Sequence, residues 1–251
     1  MEIHVHDDGG ALGRAAGREA AASLRAAVAA RGRATYVVAT GASQFATLEA
    51  LVADDVPWER IEIFHLDEYA GLADTHPASF RRYLRERLLD RLPRAPIAFH
   101  GIDASRDAAA ECRRLAALVP TGRFDVATIG IGENGHLAFN DPPADFDTTA
   151  PYIVVRLDEA CRMQQVGEGW FADLAAVPVE AISMAIRRIL ATERIVCSVP
   201  DARKAAAVRD AVAGPLSPDC PASILRTHAA CSLHLDAAAA SLLPPSARAS
   251  G

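Results

Sequence analysis

Short apolar segments with strand character alternate with segments of helical periodicity along most of this chain. An Ala-rich stretch with helical spacing covers residues 9–30, and a β-branched apolar run follows at 34–39. The pattern then repeats, with predicted helices at 45–52, 78–92, 106–118, 179–189 and 202–213 and predicted strands at 61–66, 97–100, 124–131 and 194–199. Strands that alternate with helices form βαβ units. The sequence therefore predicts an α/β fold of three layers (α/β/α), in which helices cover both faces of a mostly parallel central sheet.

The length of the chain fits one domain. With 251 residues, 51% of them hydrophobic, the chain can bury one substantial core. We expect residues 1–243 to form a single domain and the tail 244–251, PPSARASG, to be disordered.

The charge and the N-terminus restrict the classes of partner. A formal net charge of -6 argues against a surface that neutralises nucleic-acid phosphates, so the expected partner is a small molecule. The N-terminus MEIHVHDDGG has no basic stretch followed by an apolar run, and no window has the roughly 18 apolar residues of a membrane span. We therefore expect a soluble cytoplasmic protein that binds neither nucleic acid nor membranes.

The cysteines fit a reducing compartment. They are odd in number and include no CxxC pair, which is typical of reduced thiols rather than of a disulfide framework or a zinc site. The five positions are Cys112, Cys161, Cys197, Cys220 and Cys231.

Polar segments follow several predicted strands, and open parallel sheets bind ligands at the carboxyl ends of their strands. The first such segment is TGASQ at 40–44. Gly41 lets the backbone approach an anion, the next helix offers free N–H groups, and Thr40 and Ser43 add hydroxyls. These features indicate a phosphate site that includes Ala42, although Ser43 as a simple helix cap explains the same residues.

The second segment places two adjacent acids, Asp67 and Glu68, just after a strand. Carboxylates at this edge of a sheet are costly to desolvate unless they have a partner or a task, and one of them can move a proton. The alternative is that one member of the pair faces solvent or caps the following turn.

The third segment, GIGENGHLAFND at 130–141, has three glycines within six residues. Such glycines demand unusual backbone geometry, and they bring Asn134, His136 and Asp141 into one short polar turn at a strand end. A lone histidine is more often structural, but this setting favours a catalytic role for His136.

Two weaker patterns remain. His4 and His6 form an HxH that is also found in metal-dependent hydrolases, but no further histidine set completes a metal site in the sequence, so we expect no metal. Lys204 follows a predicted strand and can reach a phosphate as a point charge, although an ordinary solvated lysine is the simpler interpretation.

Together, TGASQ, the segment LDEYAGLADTHPASFRRYL at 66–84 and GIGENGHLAFND resemble the glucosamine-6-phosphate deaminase and 6-phosphogluconolactonase superfamily. The similarity runs from about residue 40 to residue 235. The core of the third motif is shared with the lactonase branch, whereas LDEY and HLAFN resemble the deaminase branch. The resemblance implies a Rossmann-like domain that needs neither metal nor coenzyme and acts on a phosphorylated amino sugar.

The resemblance also implies roles for individual residues. Asp67 resembles the proton shuttle between C2 and C1 of the open-chain sugar, and His136 resembles the acid and base of ring opening. Asn134 and Asp141 would orient His136. The residues that resemble phosphate or substrate ligands are Thr40, Gly41, Ala42, Ser43, Glu68, Gly135 and Lys204.

Some residues depart from the pattern of the superfamily. Asn134 stands where many members have Asp, and Asp141 stands where many have Glu, so the contact of this shorter carboxylate with His136 depends on the backbone. The arginine expected just before Trp170 has no clear counterpart, and Arg162 is the nearest candidate.

The predicted activity is conversion of glucosamine 6-phosphate and water to fructose 6-phosphate and ammonia. The alternatives are a 6-phosphogluconolactonase or other sugar-phosphate isomerase, and a sugar-phosphate sensor without catalysis. Sensors of this architecture carry a helix-turn-helix, for which we expect no room before the first strand. The segment 141–177 is the candidate lid, and association into dimers, trimers or hexamers stays open.

Overall fold

The computed structural model describes residues 1–103, 105 and 107–248. The strands of this part of the chain are β1 Glu2–His6, β2 Ala34–Val38, β3 Ile61–His65, β4 Asp67–Tyr69, β5 Ala98–His100, β6 Phe124–Ile129, β7 Tyr152–Arg156, β8 Glu180–Met184, β9 Thr192–Val199 and β10 Cys231–Asp236. Its helices are α1 Gly9–Arg31, α2 Phe45–Ala53, α3 Phe80–Arg87, α4 Ala108–Ala116, α5 Glu159–Gly167, α6 Ile186–Leu190, α7 Ala205–Ala213 and α8 Pro245–Arg248.

The main sheet has seven strands in the order β1-β10-β9-β6-β2-β3-β5, and every neighbouring pair is parallel. Because side chains alternate along a strand, the sheet has two apolar faces. Tyr36 and Ile63 pack with α1, α2 and α3, whereas Val37 and Phe64 pack with α4, α6 and α7. The predicted three-layer α/β fold with a mostly parallel sheet is confirmed.

The first helix has clear start and stop signals. Asp8 caps α1, because its carboxylate accepts a hydrogen bond from the backbone N–H of Ala11 at 2.7 Å. Gly32 ends the helix in the left-handed conformation, with φ of 75°. Leu12, Ala16 and Leu24 are buried, which fits the helical spacing read from the sequence.

A second, antiparallel sheet of the order β4-β8-β7 lies beside the main one. It corrects our prediction of a helix at 179–189, because residues 180–184 form β8 and only the five residues of α6 are helical. Ala181, Ile182 and Ser183 are fully buried between two partner strands, so no polar alternation marked the strand. Long-range pairing here outweighs local propensity.

Other elements differ from the prediction in extent. The helix expected at 78–92 is shorter, because α3 ends at Arg87 and a 3-10 turn follows at Leu89–Arg91. The strands β7 and β10 and the helix α5 were not predicted. Within the tail that we expect to be disordered, residues 245–248 form α8, and residues 249–251 lie outside the described part. None of the described helices has the length and apolar composition needed to cross a membrane.

Candidate active site

A cleft of about 600 Å³ opens at the carboxyl edge of the main sheet. The cleft is lined by segments that follow β2, β3, β6 and β9, and also by residues of α5 and the residue after it. Of the predicted site residues, those that line the cleft are Thr40, Gly41, Ala42, Ser43, Asp67, His136 and Lys204. Those that do not line it are Glu68, Asn134, Gly135 and Asp141. Three segments distant in sequence are therefore brought together as the strand-end argument predicted.

Asp67 presents a buried carboxyl to this cleft. It is the first residue of β4, its backbone pairs with Ser183 of β8, and only 6% of it is exposed. Its side chain has no hydrogen-bond partner among the described residues. Burial, and then the charge of Glu68, raise the pKa of Asp67 to about 8. A carboxyl in this state can both accept and donate a proton near neutral pH.

Glu68 points away from the cleft, and its carboxylate holds the start of α3. It accepts hydrogen bonds from Ser79 Oγ at 3.0 Å and from the backbone N–H groups of Tyr69 at 2.9 Å and Arg81 at 2.7 Å. Burial raises the pKa of Glu68, and these donors oppose the increase. Glu68 thus anchors the N-terminus of a helix and does not line the cleft, and the substrate contact expected of it stays a prediction.

His136 lies beside a network of polar side chains. Its Nδ1 lies 3.2 Å from Asp141 Oδ1, so the shorter carboxylate does reach the ring, although the two atoms are not aligned as a good hydrogen bond. The amide of Asn134 donates to Asp141 at 3.2 Å and to Asp158 at 3.0 Å. Burial raises the pKa of Asp141, but His136, the backbone N–H of Asp158 and the amide of Asn134 lower it, and the pKa lies below its ordinary value. The amide of Asn134 thus lies between two carboxylates and donates to both. An ionised Asp at this position has no hydrogen to donate to either of them.

The glycines of the third motif have separate tasks. Gly135 has φ of 85°, and its carbonyl accepts from Ala222 N at 2.9 Å, so it shapes the turn without lining the cleft. A Cβ on Gly132 would overlap the imidazole ring of His136. Gly132 therefore leaves the space in which that ring lies.

We expect Gly132→Ala to lower kcat/KM about 100-fold, because the added Cβ would displace the His136 ring, and a displacement of roughly 1 Å in a catalytic group costs about that much. The variant is compared with Gly122→Ala, where an added Cβ meets nothing within 4 Å. Steady-state assays of both proteins, with circular dichroism to verify folding, make the measurement. Equal losses in the two variants would contradict the specific role of Gly132.

The loop at residues 40–44 has the geometry of an anion site. Gly41 has φ of 89°, a conformation that favours glycine, and it precedes the 3-10 turn Ala42–Gln44 that leads into α2. No side chain among the described residues caps this turn, so its first backbone N–H groups stay available. The simple capping role considered for Ser43 is thus absent from this geometry.

Lys204 reaches the same cleft from the turn Ala202–Lys204, after β9. It is 5% exposed, and burial lowers its pKa. Its Nζ lies 3.5 Å from Glu168 Oε1 and 3.8 Å from Glu133 Oε1. Lys204 is therefore a buried cation paired with acids and not the solvated lysine of the simpler interpretation.

Sequence reasoning missed the contribution of α5. Gln164, Gln165 and Glu168 line the cleft, and Gln165 Oε1 accepts a hydrogen bond from Tyr69 Oη at 2.7 Å. These residues lie within the segment 141–177 that we interpreted as a lid, and no motif marked them. Arg162, the candidate for the missing arginine, instead donates to the carbonyls of Leu174 and Val177 and lies outside the cleft.

Among the residues that the structure describes, two groups of side chains place their ligand atoms close enough together that they could hold a metal ion: His136, Asp141 and Cys161, and His4, Glu19 and His234. The first group contains His136, the predicted acid and base, and its partner Asp141. In the second, Glu19 already binds Arg194 at 2.7 Å and His234 at 2.9 Å, and a cation beside Arg194 would be repelled.

The profile of one protein family, glucosamine-6-phosphate isomerases/6-phosphogluconolactonase, matches residues 7–233. The chain belongs to this family. The matched range contains all three motifs and Lys204, and it leaves out His4 and His6.

Members of the glucosamine-6-phosphate isomerase/6-phosphogluconolactonase family resemble the chain over most of its length. A glucosamine-6-phosphate deaminase of Exiguobacterium sibiricum is 38% identical over 217 residues, which are 86% of this chain and 84% of that protein. The structure of a monomeric glucosamine-6-phosphate deaminase has a TM-score of 0.88 and 31% identity, covering 96% of this chain and 100% of the other. A 6-phosphogluconolactonase of Shewanella baltica, at 21% identity and a TM-score of 0.76, covers 94% of this chain and 97% of its own, and shares the fold.

Proposed function

We propose that the chain is a glucosamine-6-phosphate deaminase that converts glucosamine 6-phosphate and water to fructose 6-phosphate and ammonia. The observation that carries the proposal is the unpartnered, buried carboxyl of Asp67, which shares one cleft with His136 and the loop at residues 40–44. The two deaminases described above are 38% and 31% identical to this chain over most of its length, which supports this branch of the family.

In the proposed reaction the loop at 40–44 and Lys204 bind the phosphate and so orient the sugar across the cleft. His136, supported by Asp141, moves the proton between the anomeric hydroxyl and the ring oxygen, which opens the ring. Asp67 then takes the C2 proton, which is acidic because the negative charge spreads onto the neighbouring carbonyl oxygen, and returns a proton to C1. The C1 oxygen gains the proton that the amine nitrogen gives up, so the product has a hydroxyl at C1 and an imine at C2. Water adds to it and ammonia leaves, which yields fructose 6-phosphate.

The pKa of Asp67 near 8 predicts a rising limb in the pH profile. The ionised carboxylate is the base, so its population increases as the pH rises through that value, and kcat/KM should increase with it. We expect kcat/KM to grow about tenfold for each pH unit below the midpoint and to level off above it. A kcat/KM that is flat between pH 6 and 8 would contradict the assignment of Asp67 as the base.

The test of function is ammonia release from glucosamine 6-phosphate by the native protein and by Asp67→Asn. The same preparations are assayed for hydrolysis of 6-phosphogluconolactone, which the lactonase alternative requires. We expect ammonia from the native protein alone and no lactone hydrolysis above background. Absence of ammonia ends the deaminase proposal, and lactone hydrolysis without ammonia identifies the lactonase. Binding of a sugar phosphate without either reaction identifies a sensor.

Three properties stay predictions. We expect a cytoplasmic location, a single domain over residues 1–243 and no requirement for metal or coenzyme. The assembly state is open, and size-exclusion chromatography with light scattering determines it.

A further inference from the structure

The cation of the proposed phosphate site already has an acidic partner. Lys204 Nζ lies 3.5 Å from Glu168 Oε1, and 6% of the Lys204 side chain and 9% of the Glu168 side chain are exposed. Charges that are this well excluded from water interact more strongly than a surface pair. Glu168 therefore neutralises much of the charge that Lys204 would offer to a phosphate.

Glu168 is held in this position by two further donors. Gln164 Nε2 donates to Oε1 at 2.8 Å, and Trp170 Nε1 donates to Oε2 at 3.2 Å. The residue follows the last turn of α5 and lines the cleft. Its carboxylate is thus a fixed part of the cleft wall.

Among the described residues, the rest of the cleft wall has no unpaired Arg or Lys that could bind the phosphate in place of Lys204. Arg203, the other basic residue that lines it, lies 2.9 Å from Asp201 and 3.6 Å from Glu133. Within the described part of the chain, every basic side chain of the cleft wall therefore faces at least one carboxylate. A phosphate that binds Lys204 must share it with acids, and like charges in a confined site repel.

We infer that Glu168 limits the affinity of the cleft for phosphates, because it competes with the phosphate of the substrate for Lys204 and so weakens binding of doubly charged phosphates. This inference rests on the proposed function and names a residue that limits affinity at the same site. The backbone N–H groups of the loop at 40–44 then carry a large share of phosphate recognition.

The test compares binding of inorganic phosphate and of fructose 6-phosphate to the native protein and to Glu168→Gln by isothermal titration calorimetry. The amide keeps the size of the side chain, but it has one accepting oxygen, so it can keep the hydrogen bond from Gln164 or the one from Trp170 and not both. We expect Kd for both ligands to fall at least tenfold. Glu159→Gln is the control, because Glu159 is exposed on α5 and does not line the cleft. It should leave both Kd values unchanged.

A double-mutant cycle with Lys204→Gln separates the proposed cause from a general change of charge. The gain in phosphate affinity from Glu168→Gln should disappear when the second substitution, Lys204→Gln, is present. Unchanged or weaker phosphate binding in Glu168→Gln would overturn the inference, because it would mean that Glu168 positions Lys204 for the ligand. A gain that persists without Lys204 would overturn it too. Binding is measured without turnover, so failure of the deaminase proposal is detected separately, by the ammonia assay.

Discussion

Asp67→Asn should lose nearly all deaminase activity and yet be more stable than the native protein at neutral pH. An amide neither accepts the C2 proton nor returns one to C1, and loss of a positioned acid–base group costs up to about 10⁴-fold in kcat. The shape of the side chain is almost unchanged, so substrate binding should survive. The measurement is kcat for ammonia release, together with Kd for fructose 6-phosphate. A variant with native kcat would exclude Asp67 as the proton shuttle.

The stability effect follows from the sign of the pKa shift. Burial raises the pKa of Asp67 from 3.8 to about 8, so the native state holds this proton more tightly than the unfolded state does. The stabilisation from the bound proton is complete below pH 3.8 and is lost progressively as the pH rises to about 8. The amide in the Asp67→Asn variant does not ionise, so the variant avoids this loss. We expect its advantage in unfolding free energy to grow by about 2 to 4 kcal/mol between pH 5 and pH 8.

Urea unfolding of both proteins at pH 5 and at pH 8 measures this difference. The control is Asp90→Asn, because Asp90 is exposed on the surface. It should show no comparable change with pH. A constant difference between native protein and Asp67→Asn at the two pH values would contradict the burial of an unpaired charge at this position.

His136→Gln should lower kcat/KM by about 10²- to 10³-fold, the range expected for removal of a general acid and base. The glutamine cannot carry the proton between the anomeric hydroxyl and the ring oxygen, so the variant depends on sugar that opens without a catalyst. Asp141→Asn should show a smaller loss, because the ring stays in place while its charged partner at 3.2 Å is removed. Steady-state kinetics of the three proteins make this comparison.

The binding of inorganic phosphate provides the control for these two variants. Neither side chain belongs to the proposed phosphate loop, so Kd should match that of the native protein. A His136→Gln variant with kcat/KM within twofold of the native value would contradict the role of His136 in ring opening.

Elements with strong local signals were predicted well from the sequence. The helix α1 has a capping Asp8, apolar residues at helical spacing and a terminal Gly32, all of which are local properties. The strands β2 and β3 are apolar and β-branched, and each is paired on both sides within the sheet. By contrast, β8 was predicted as a helix because its pairing partners lie more than 100 and nearly 30 residues away in the chain.

The same distinction between local and long-range information applies to the site. The position of Asp67 and His136 at the cleft could be predicted, because each lies in a segment that follows a strand of the main sheet and the strand ends of a parallel sheet meet at one edge. Glu68 was assigned to the substrate since its contacts with the start of α3 depend on the fold of a loop. Gln164 and Glu168 carried no signal, because α5 is positioned by packing in one apolar cluster with Tyr69 and Ala181 of the second sheet, which are distant from it in the chain.

The most direct test of the account follows deuterium placed at C2 of glucosamine 6-phosphate through turnover in ordinary water. We predict that the native protein releases ammonia and that part of the deuterium appears at C1 of fructose 6-phosphate in the nuclear magnetic resonance spectrum. Asp67 is only 6% exposed, so some of the label should be returned before it exchanges with water. Fructose 6-phosphate with no label at C1, or no ammonia at all, would contradict the account.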